Sequence, residues 1–311
     1  GISDAVHPSQ GTKYRVWPLY NFSCGLDDHL MGVSHIIRGK EHDVNTTRQR
    51  WLQKHLGWKY PEVINVGRLG LEVGILSKSK MRAGIEDGTY LGWDDPRLGS
   101  LVALRKRGIQ PETIRETMLH VGPKPVNVSI SWGTFASRNR KLIESRCNRF
   151  SFIGKPVKLK ITDVKDTLVA HLPVHPDHPE RGTRDYELVP DNGTLDLMIS
   201  GSDAKKFIEG QLLRLMGVAN IQVTDTGNEL VAKYHSLDLQ VARDQDAQFL
   251  NWLPAGNGVP AKVTLADASI LEGIAEESVE ELKPDDMFQF ERFGYCRVET
   301  SKPFLAYFTH R

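Results

Sequence analysis

The segment 77–80, with the sequence Ser-Lys-Ser-Lys, places two hydroxyls and two cations directly after an apolar run. Leu71, Val73 and Ile75 alternate along that run, which is typical of a strand. Ser77 can cap the start of a helix, and the amides of the first helical turn then attract a phosphate. Lysine ammonium groups suit a polyphosphate whose negative charge grows during a reaction. The segment predicts a phosphate-binding turn, with a solvated basic turn as the alternative.

Basic residues are concentrated in the middle of the chain, although its formal net charge is only +1. Residues 101–160 contain thirteen Lys and Arg against three Glu, a local charge of +10. Residues 261–300 contain ten Asp and Glu against four Lys and Arg, a local charge of −6. A basic block suits the phosphate backbone of a nucleic acid. A solvated charged face without a partner is the alternative.

Length and composition describe an ordinary globular protein of two or three domains, with 311 residues, 40% hydrophobic and 25% charged. No apolar run reaches the roughly 18–20 residues that span a bilayer, and no signal peptide is recognisable at the start. Three cysteines that lie far apart predict neither a disulfide framework nor a zinc site. We expect a cytoplasmic monomer without a metal site or a tightly bound cofactor.

The elements that must position these residues change character along the chain. A strand at 15–20 is followed by strands at 35–37, 62–66 and 71–76, which alternate with helices at 21–33 and 41–57. This alternation is typical of an α/β layer. From 97 to about 149 the pattern is helical, and Pro111 opens one of the helices. After Phe150 the period changes to two, and recurring turn signals predict one or two antiparallel barrels.

Hydrophobic spacing also predicts which side of two elements is buried. Helix 41–57 should bury its apolar residues, namely Val44, Trp51, Leu52 and Leu56. Strand 156–162 alternates strictly and should turn its apolar residues inward, namely Val157, Leu159 and Ile161. Trp252 and the aromatic residues of 290–295 should serve as barrel core.

Several separate motifs resemble one enzyme family. Segment 75–79 (Ile-Leu-Ser-Lys-Ser) is similar to the Lys-Met-Ser-Lys-Ser signature of class I aminoacyl-tRNA synthetases. Segments 66–72 (Val-Gly-Arg-Leu-Gly-Leu-Glu) and 93–97 (Trp-Asp-Asp-Pro-Arg) resemble the glutamyl/glutaminyl subgroup in its archaeal and eukaryotic form. The resemblance covers essentially the whole chain. It implies the second half of a Rossmann-like nucleotide-binding fold at 1–93, a helical stem-contact region at 94–150, and two anticodon-binding β-barrels, proximal and distal, at 151–311.

Tyr20 and Arg38 resemble the amino-acid pocket of this family. The resemblance implies that the tyrosine helps to hold the substrate and that the arginine faces the side-chain carboxylate of L-glutamate. A guanidinium forms a bidentate pair with a carboxylate, so Arg38 favours glutamate over glutamine. The alternative is a structural ion pair between Arg38 and nearby Glu41 or Asp43.

The same resemblance implies a site for ATP, which enters as a substrate together with Mg²⁺. Arg68 and Leu69 resemble the segment whose backbone reads the adenine. Three residues would hold the triphosphate and act in catalysis, namely Ser77, Lys78 and Ser79, and Lys78 would stabilise the charge that develops during the reaction. Glu41 would lie on the adenosine side of the pocket. Leu69 as an ordinary core residue is the alternative.

Binding of tRNA is implied by the barrels and by the basic third helix of the middle region. Segment 175–184 (His-Pro-Asp-His-Pro-Glu-Arg-Gly-Thr-Arg) resembles a loop near the anticodon, and Arg184 is the candidate for a base contact. The helix contributes Arg138, Arg140 and Lys141. Zinc at His175 and His178 is not expected, because no cysteine or third histidine has ligand spacing.

The chain departs from the family in one respect. It lacks the first class I signature, His-Ile-Gly-His or a variant, because 55–58 (His-Leu-Gly-Trp) is only a partial match. We therefore expect the carboxy-terminal part of a longer glutamate-specific ligase, which joins L-glutamate to glutamate tRNA through an adenylate, with glutamine tRNA as a second candidate substrate. This part should be inactive alone but able to bind tRNA. The alternatives are a glutamine-specific enzyme, which Arg38 and Ser79 disfavour, and a non-catalytic tRNA-binding module.

Overall fold

A computed structural model describes Ile2, residues 4–72 and residues 74–311. The chain divides into two compact units. The first comprises residues 1–72 and 115–131, and the second comprises residues 73–114 and 132–311. Val73, which the sequence placed in a strand, lies outside the described residues. No helix in the described part of the chain has the length and apolarity that crossing a bilayer requires.

The first unit is built around a parallel strand–helix–strand arrangement. Its elements are α1 (Tyr20–Leu30), β1 (His35–Gly39), α2 (Asp43–His55), β2 (Glu62–Val66), β3 (Leu69–Leu71) and β4 (Val128–Ile130), with a 3-10 turn at Lys40–His42. β1 pairs in parallel with β2, and β3 pairs in parallel with β4. The predicted strands at 35–37 and 62–66 are confirmed. The strand predicted at 15–20 is wrong, because Val16 forms only an isolated bridge to Ile2 and α1 already begins at Tyr20.

The buried side of α2 is polar, which reverses the prediction for this helix. Its buried residues are Thr46, Gln49 and Gln53, whereas Val44 and Trp51 are 61% and 56% exposed. Gln53 Nε2 donates to the carbonyl of Gly25 in α1 at 2.6 Å. Helical periodicity identifies which residues share a face, but it does not say which face a neighbouring element covers.

Residues 97–149 are mainly helical, as predicted, with shorter elements, whereas the two short helices that lie among the later strands were not predicted. The helices are α3 (Lys78–Glu86), α4 (Leu101–Lys106), α5 (Pro111–Val121), α6 (Trp132–Ile143), α7 (Gly201–Ala204) and α8 (Leu239–Asp244), and a 3-10 turn follows α6 at Glu144–Arg146. Pro111 opens α5, as expected. The last residues of α5, 115–121, belong to the first unit. Strand β4 was not predicted in this region.

Sixteen strands follow β4 in the described residues of the second unit. They are β5 (Arg149–Phe150), β6 (Phe152–Gly154), β7 (Pro156–Thr162), β8 (Leu168–Pro173), β9 (Thr183–Leu188), β10 (Leu195–Ser200), β11 (Leu212–Leu215), β12 (Asn220–Asp225), β13 (Leu230–Ser236), β14 (Gln248–Leu250), β15 (Trp252–Pro254), β16 (Val259–Thr264), β17 (Ile270–Ala275), β18 (Met287–Phe290), β19 (Gly294–Thr300) and β20 (Phe304–His310). Further 3-10 turns lie at Pro179–Arg181 and Glu277–Glu281.

Two seven-stranded sheets are formed from these strands. The first sheet has the order β14-β11-β12-β13-β7-β10-β15, and the second sheet has the order β5-β18-β19-β20-β16-β17-β6. The two edge strands of the first sheet are separated in sequence only by Asn251, and those of the second only by Ser151. Each sheet must therefore curl until its edges nearly meet, as in a barrel.

The sheets are mixed, so the prediction of purely antiparallel barrels is wrong. Each sheet contains two parallel pairs, β11 with β14 and β7 with β13 in the first, and β16 with β20 and β5 with β18 in the second. Turn signals in the sequence reveal hairpins but not which distant strands become neighbours. The predicted turn at 191–193 is present, with Asn192 and Gly193 at positive φ of 48° and 76° between paired Asp191 and Thr194.

Each sheet encloses its own hydrophobic core. Leu159 and Ile161 are buried in the first core, as predicted, but Val157 is 36% exposed. Trp252 is 2% exposed in the same core, and its ring N–H donates to the carbonyl of Met216. Phe290 is fully buried in the second core. The structural role predicted for these two aromatic residues is confirmed.

Candidate functional site

Arg38 lies on β1, where its side chain is 8% exposed and contacts neutral groups. Its Nη1 donates to Gln49 Oε1 at 2.9 Å, and its Nη2 donates to the Tyr60 hydroxyl at 2.6 Å. The Tyr60 hydroxyl in turn donates to Gln49 Oε1 at 3.1 Å. Among the described residues no carboxylate lies within ion-pair distance of Arg38, so the pairing with Glu41 or Asp43 is not formed.

Two donors of this cluster are buried without a hydrogen-bond partner among the described residues, Arg38 Nε and Gln49 Nε2. A buried donor without an acceptor costs about 1–3 kcal/mol, more for a charged group. Burial raises the pKa of the Tyr60 phenol, although the charge of Arg38 opposes this effect. Burial also raises the pKa of Asp28 in α1, again against the positive charge of Arg38. The cluster is therefore rich in donors and suits an anionic acceptor.

Tyr20 begins the helix that precedes the strand of Arg38, and Glu41 lies in the 3-10 turn that follows this strand. Tyr20 begins α1, is 47% exposed, and its ring centroid is 4.9 Å from that of His42. His42 ends the 3-10 turn that directly follows the strand of Arg38. The carboxylate of Glu41 folds back over Gly39, 2.6 Å from where a Cβ on that glycine would be. Tyr20 is thus near the turn at Lys40–His42.

Arg68 and Leu69 are held by the segment that contains β4. The Arg68 N–H donates to Asn127 Oδ1 at 2.9 Å, and its carbonyl accepts from the Val128 N–H at 3.0 Å. Glu72 N–H donates to the carbonyl of the β4 residue Ile130. Since backbone groups alternate between the two edges of a strand, those of Leu69 point to the edge opposite β4. The backbone of Arg68 is thus bonded to the segment that contains β4, whereas that of Leu69 faces away from it.

Helix α3 begins at Lys78, and Ser77 occupies the N-cap position with extended backbone. The Ser77 hydroxyl does not cap the helix but lies 3.1 Å from that of Ser79. Lys78 and Ser79 line a shallow cleft of about 530 Å³ together with Arg82. The predicted helix start is therefore present, and the hydroxyls and cations are on its exposed first turns.

The segment 90–97 supports α3 from behind. Asp95 accepts two bonds from the Arg97 side chain, at 2.9 and 2.7 Å, and one from the Leu91 N–H at 3.0 Å. These bonds lower the pKa of Asp95 to about 2. Arg97 lies over the ring of Tyr90, 5.0 Å from its centroid, and that ring fills the space beside Gly84 of α3. Residues 93–97 carry part of the family resemblance, but the motif did not indicate this supporting role.

Arg184 is on β9 and is only 9% exposed. Its Nη1 and Nη2 each donate at 2.8 Å, to Glu276 Oε2 and Glu291 Oε2 respectively. The prediction from the sequence was that the Arg184 guanidinium contacts a base of the anticodon. In the structure both Nη groups bind carboxylates from segments far along the chain.

The basic residues of α6 differ in their surroundings. The helix buries Phe135, Asn139 and Ile143, so Arg138 and Lys141, three residues apart, share another face. Arg140 is exposed, donates to the carbonyl of Arg311, and lies 6.0 Å from the centroid of the Tyr295 ring. Arg140 is thus bonded to the carbonyl of Arg311, whereas Arg138 is half-buried and Lys141 is exposed on the other face.

The histidines of the loop 175–184 serve the structure. His175 is 2% exposed, and its Nε2 donates to the carbonyl of Glu144 at 2.9 Å, while its Nδ1 accepts from the Asp177 N–H. His178 pairs with Glu180. Among the described residues no group of three His, Cys, Asp or Glu side chains could hold a metal ion.

The predicted residues fall into both units. Tyr20, Arg38, Glu41, Arg68 and Leu69 belong to the first, and the other predicted residues belong to the second. Sequence reasoning missed Gln49 and Tyr60 as partners of Arg38, and Asn127 as the partner of Arg68. A polar residue at a buried helical position, as Gln49 is, was the only local signal for any of them.

Comparison with known proteins gives a consistent picture. Residues 2–145 match the family model described as tRNA synthetases class I (E and Q), catalytic domain. Residues 147–238 and 249–299 match two models of the same synthetases, each described as an anti-codon binding domain. The three matches together cover most of the chain, in the order that the sequence motifs indicated.

Individual relatives are similar over almost the full chain. The glutamate–tRNA ligase of Thermococcus kodakarensis is 42% identical over 313 aligned positions, which cover 100% of this chain and 54% of the relative. That of Methanopyrus kandleri is 42% identical over 299 positions, with 96% and 52% covered. That of Methanocaldococcus jannaschii is 42% identical over 312 positions, with 100% and 55% covered. The chain spans about half the length of the curated relatives it matches.

Proposed function

Because the chain belongs to the class I tRNA synthetases for glutamate and glutamine, we propose that it forms part of a glutamate–tRNA ligase. Such an enzyme uses ATP to activate the carboxyl group of L-glutamate and then transfers the glutamyl group to tRNA. The names and the identities of the relatives support this proposal.

The observation that carries the choice of glutamate is the environment of Arg38. The buried guanidinium is hydrogen-bonded to neutral oxygens and forms no ion pair among the described residues, and two donors of the cluster have no acceptor there. A carboxylate would supply charge and acceptors together. The amide of glutamine would bring two additional donors and no charge. Tyr20, near the turn after β1, would contact the same substrate.

Lys78, Ser77 and Ser79 would contact the triphosphate at the first turn of α3. The lysine is a mobile point charge and suits an oxyanion whose charge increases as pyrophosphate departs. The backbone of Leu69 would contact adenine, with Arg68 fixing that segment through Asn127, and Glu41 would lie on the adenosine side. Mg²⁺ would enter as the counter-ion of ATP and as part of the substrate.

Arg138, Arg140 and Lys141 would contact tRNA phosphates, with Arg138 and Lys141 as the stronger contacts. We retain the boundaries 1–93, 94–150 and 151–311 for the catalytic, stem-contact and anticodon-binding regions as part of the proposal. Anticodon binding by both sheets agrees with the descriptions of the matching family models.

The test is a titration of the 311-residue chain with glutamate tRNA, glutamine tRNA and an unrelated tRNA at two salt concentrations. We expect glutamate tRNA to bind most tightly, with or without glutamine tRNA close behind. Equal binding of all three would reject specific recognition by this chain. Lys141→Gln should lower the slope of log affinity against log salt concentration by about 1, the value expected for the loss of one phosphate contact. Lys262→Gln, which removes an exposed charge paired with Glu272, is the matched control and should not.

A further inference from the structure

Arg184 connects two parts of the second unit that have separate cores. It lies on β9, which pairs with β8 and contributes Leu188 to the core of the first sheet. Glu276 directly follows β17 and Glu291 directly follows β18, both in the second sheet. One guanidinium therefore joins two carboxylates of the second sheet to the hairpin packed on the first.

All three side chains that form these two ion pairs are buried. The side chains of Arg184, Glu276 and Glu291 are 8%, 5% and 7% exposed. Glu276 Oε2 also accepts from the Ser151 N–H at 2.7 Å and from the Tyr186 hydroxyl at 3.3 Å. Removing one partner from such a set leaves an unpaired buried charge, which destabilises the arrangement far more than loss of an exposed ion pair would.

The cluster also forms one wall of a cleft between the two sheets. The cleft has a volume of about 680 Å³, and its lining includes Arg184 and Tyr186 from the hairpin and Glu276 and Ser278 from the second sheet. Any change in the angle between the sheets must change this cleft. The ion pairs thus lie at the junction of the two sheets, beside the cleft that separates their surfaces.

We propose that Arg184 is a positioning residue for tRNA. It holds the second sheet in a fixed orientation against the first, so that an RNA surface that extends over both is formed before tRNA arrives. This inference rests on the proposed binding of tRNA. It assigns Glu276 and Glu291 a role in RNA affinity, although neither carboxylate could attract a phosphate.

The direction in which one substitution changes tRNA affinity distinguishes this positioning role from a direct contact between Arg184 and RNA. Glu291→Gln removes a negative charge and one ion pair while keeping the size of the side chain. If Arg184 contacted RNA directly, this substitution would release the guanidinium and leave tRNA binding unchanged or tighter. If Arg184 positions the second sheet, the same substitution must weaken binding, against the change in charge. If the correct orientation were then populated about one time in ten, affinity would fall roughly tenfold.

The experiment compares tRNA affinities of the 311-residue chain with those of Glu291→Gln and Arg184→Lys. Both variants should bind glutamate tRNA more weakly, with Arg184→Lys retaining one of the two ion pairs. Glu272→Gln is the control, because Glu272 is a 69% exposed carboxylate of the same sheet. It should bind as tightly as the unmodified chain or more tightly. Unchanged or tighter binding by Glu291→Gln would overturn the proposal.

A distance measurement tests the positioning role without RNA. Spin labels on Lys165→Cys and Asp267→Cys, two exposed positions, report on the first and the second sheet in a chain that also carries Cys24→Ser. We expect one narrow distance distribution that broadens with Glu291→Gln. A distribution that stays narrow would refute the positioning role even if tRNA affinity fell. A broadened distribution in a chain that binds no tRNA would instead reject only the proposed function.

Discussion

Protonation of His310 is expected to destabilise the second unit, because its ring nitrogens have fixed partners. Asn139 in α6 uses its Oδ1 to accept from the Gln110 N–H at 2.8 Å and from the Thr113 hydroxyl at 2.9 Å. Its Nδ2 must therefore be the group that lies 3.0 Å from His310 Nε2. This contact requires Nε2 to be an acceptor, so the neutral imidazole carries its proton on Nδ1.

A second proton on His310 would meet both a donor and positive charge. It would add an N–H at Nε2 directly opposite the amide of Asn139, which cannot rotate without losing its two other bonds. Burial lowers the pKa of His310 to about 4 from 6.5, and the nearby charges of Arg140 and Arg107 act in the same direction. The Nδ1–H donation to the carbonyl of Arg311 acts in the opposite direction.

The sign and size of the effect follow from linkage. In the unfolded chain the imidazole binds a proton near pH 6.5, whereas the folded chain resists it until about pH 4. The contribution to stability is therefore fully present above 6.5 and is lost progressively as the pH falls toward 4. The difference between these values corresponds to about 3 kcal/mol.

Urea unfolding of the second unit over this pH range measures the contribution. The free energy of unfolding should fall by about 3 kcal/mol more in the unmodified chain than in His310→Gln, which cannot titrate. His235→Gln replaces an exposed histidine and should leave the pH dependence as it was. Equal pH dependence in the unmodified chain and in His310→Gln would refute the reasoning, as would an imidazole that titrates near its ordinary pKa by NMR.

Two further substitutions, Gly67→Ala and Asp95→Asn, test the supports of the candidate site, and Gly133→Ala serves as the control for the first. Gly67→Ala would place a Cβ 2.0 Å from the carbonyl oxygen of Val126, so chemical unfolding should show a loss of about 2 kcal/mol or more in the first unit. Gly133→Ala in α6 meets no atom within 4 Å and should stabilise slightly, by up to about 1 kcal/mol. Asp95→Asn should lower the free energy of unfolding of the second unit by about 2 kcal/mol, because it removes the carboxylate that binds Arg97. In the unmodified chain this contribution should disappear only as the pH falls from 3.8 toward about 2, and unfolding in acid measures both effects.

Secondary-structure elements could be predicted from the sequence where the residues that determine them lie within a few positions of one another. The strand at 62–66 matches the structure, as does the strand at 156–162. Helix α5 begins at Pro111, whose fixed φ and missing N–H suit a first helical position. The turn at Asn192 and Gly193 required positive φ at both residues, which these residue types tolerate. In each case the decisive physics acts within a few residues.

Partners of charged side chains could not be predicted in this way. Arg38 binds residues that are 11 and 22 positions away, and Arg184 binds residues that are 92 and 107 positions away. Sequence distance of this size gives no information on contact, because the topology of the sheets determines which segments meet. The parallel strand pairs of both sheets were missed for the same reason.

The contrast between these two arginines shows what decides the role of a buried guanidinium. Residue type and motif resemblance treated both as groups that bind a ligand. Arg184 is compensated by two carboxylates of the protein, so an incoming base would have to break ion pairs that already exist. Arg38 is bound by neutral oxygens and keeps an unpartnered Nε among the described residues, so an incoming carboxylate would complete its surroundings. In the two proposals made above, the charge of the partners, which only the folded chain reveals, thus separates recognition of a substrate from positioning of a domain.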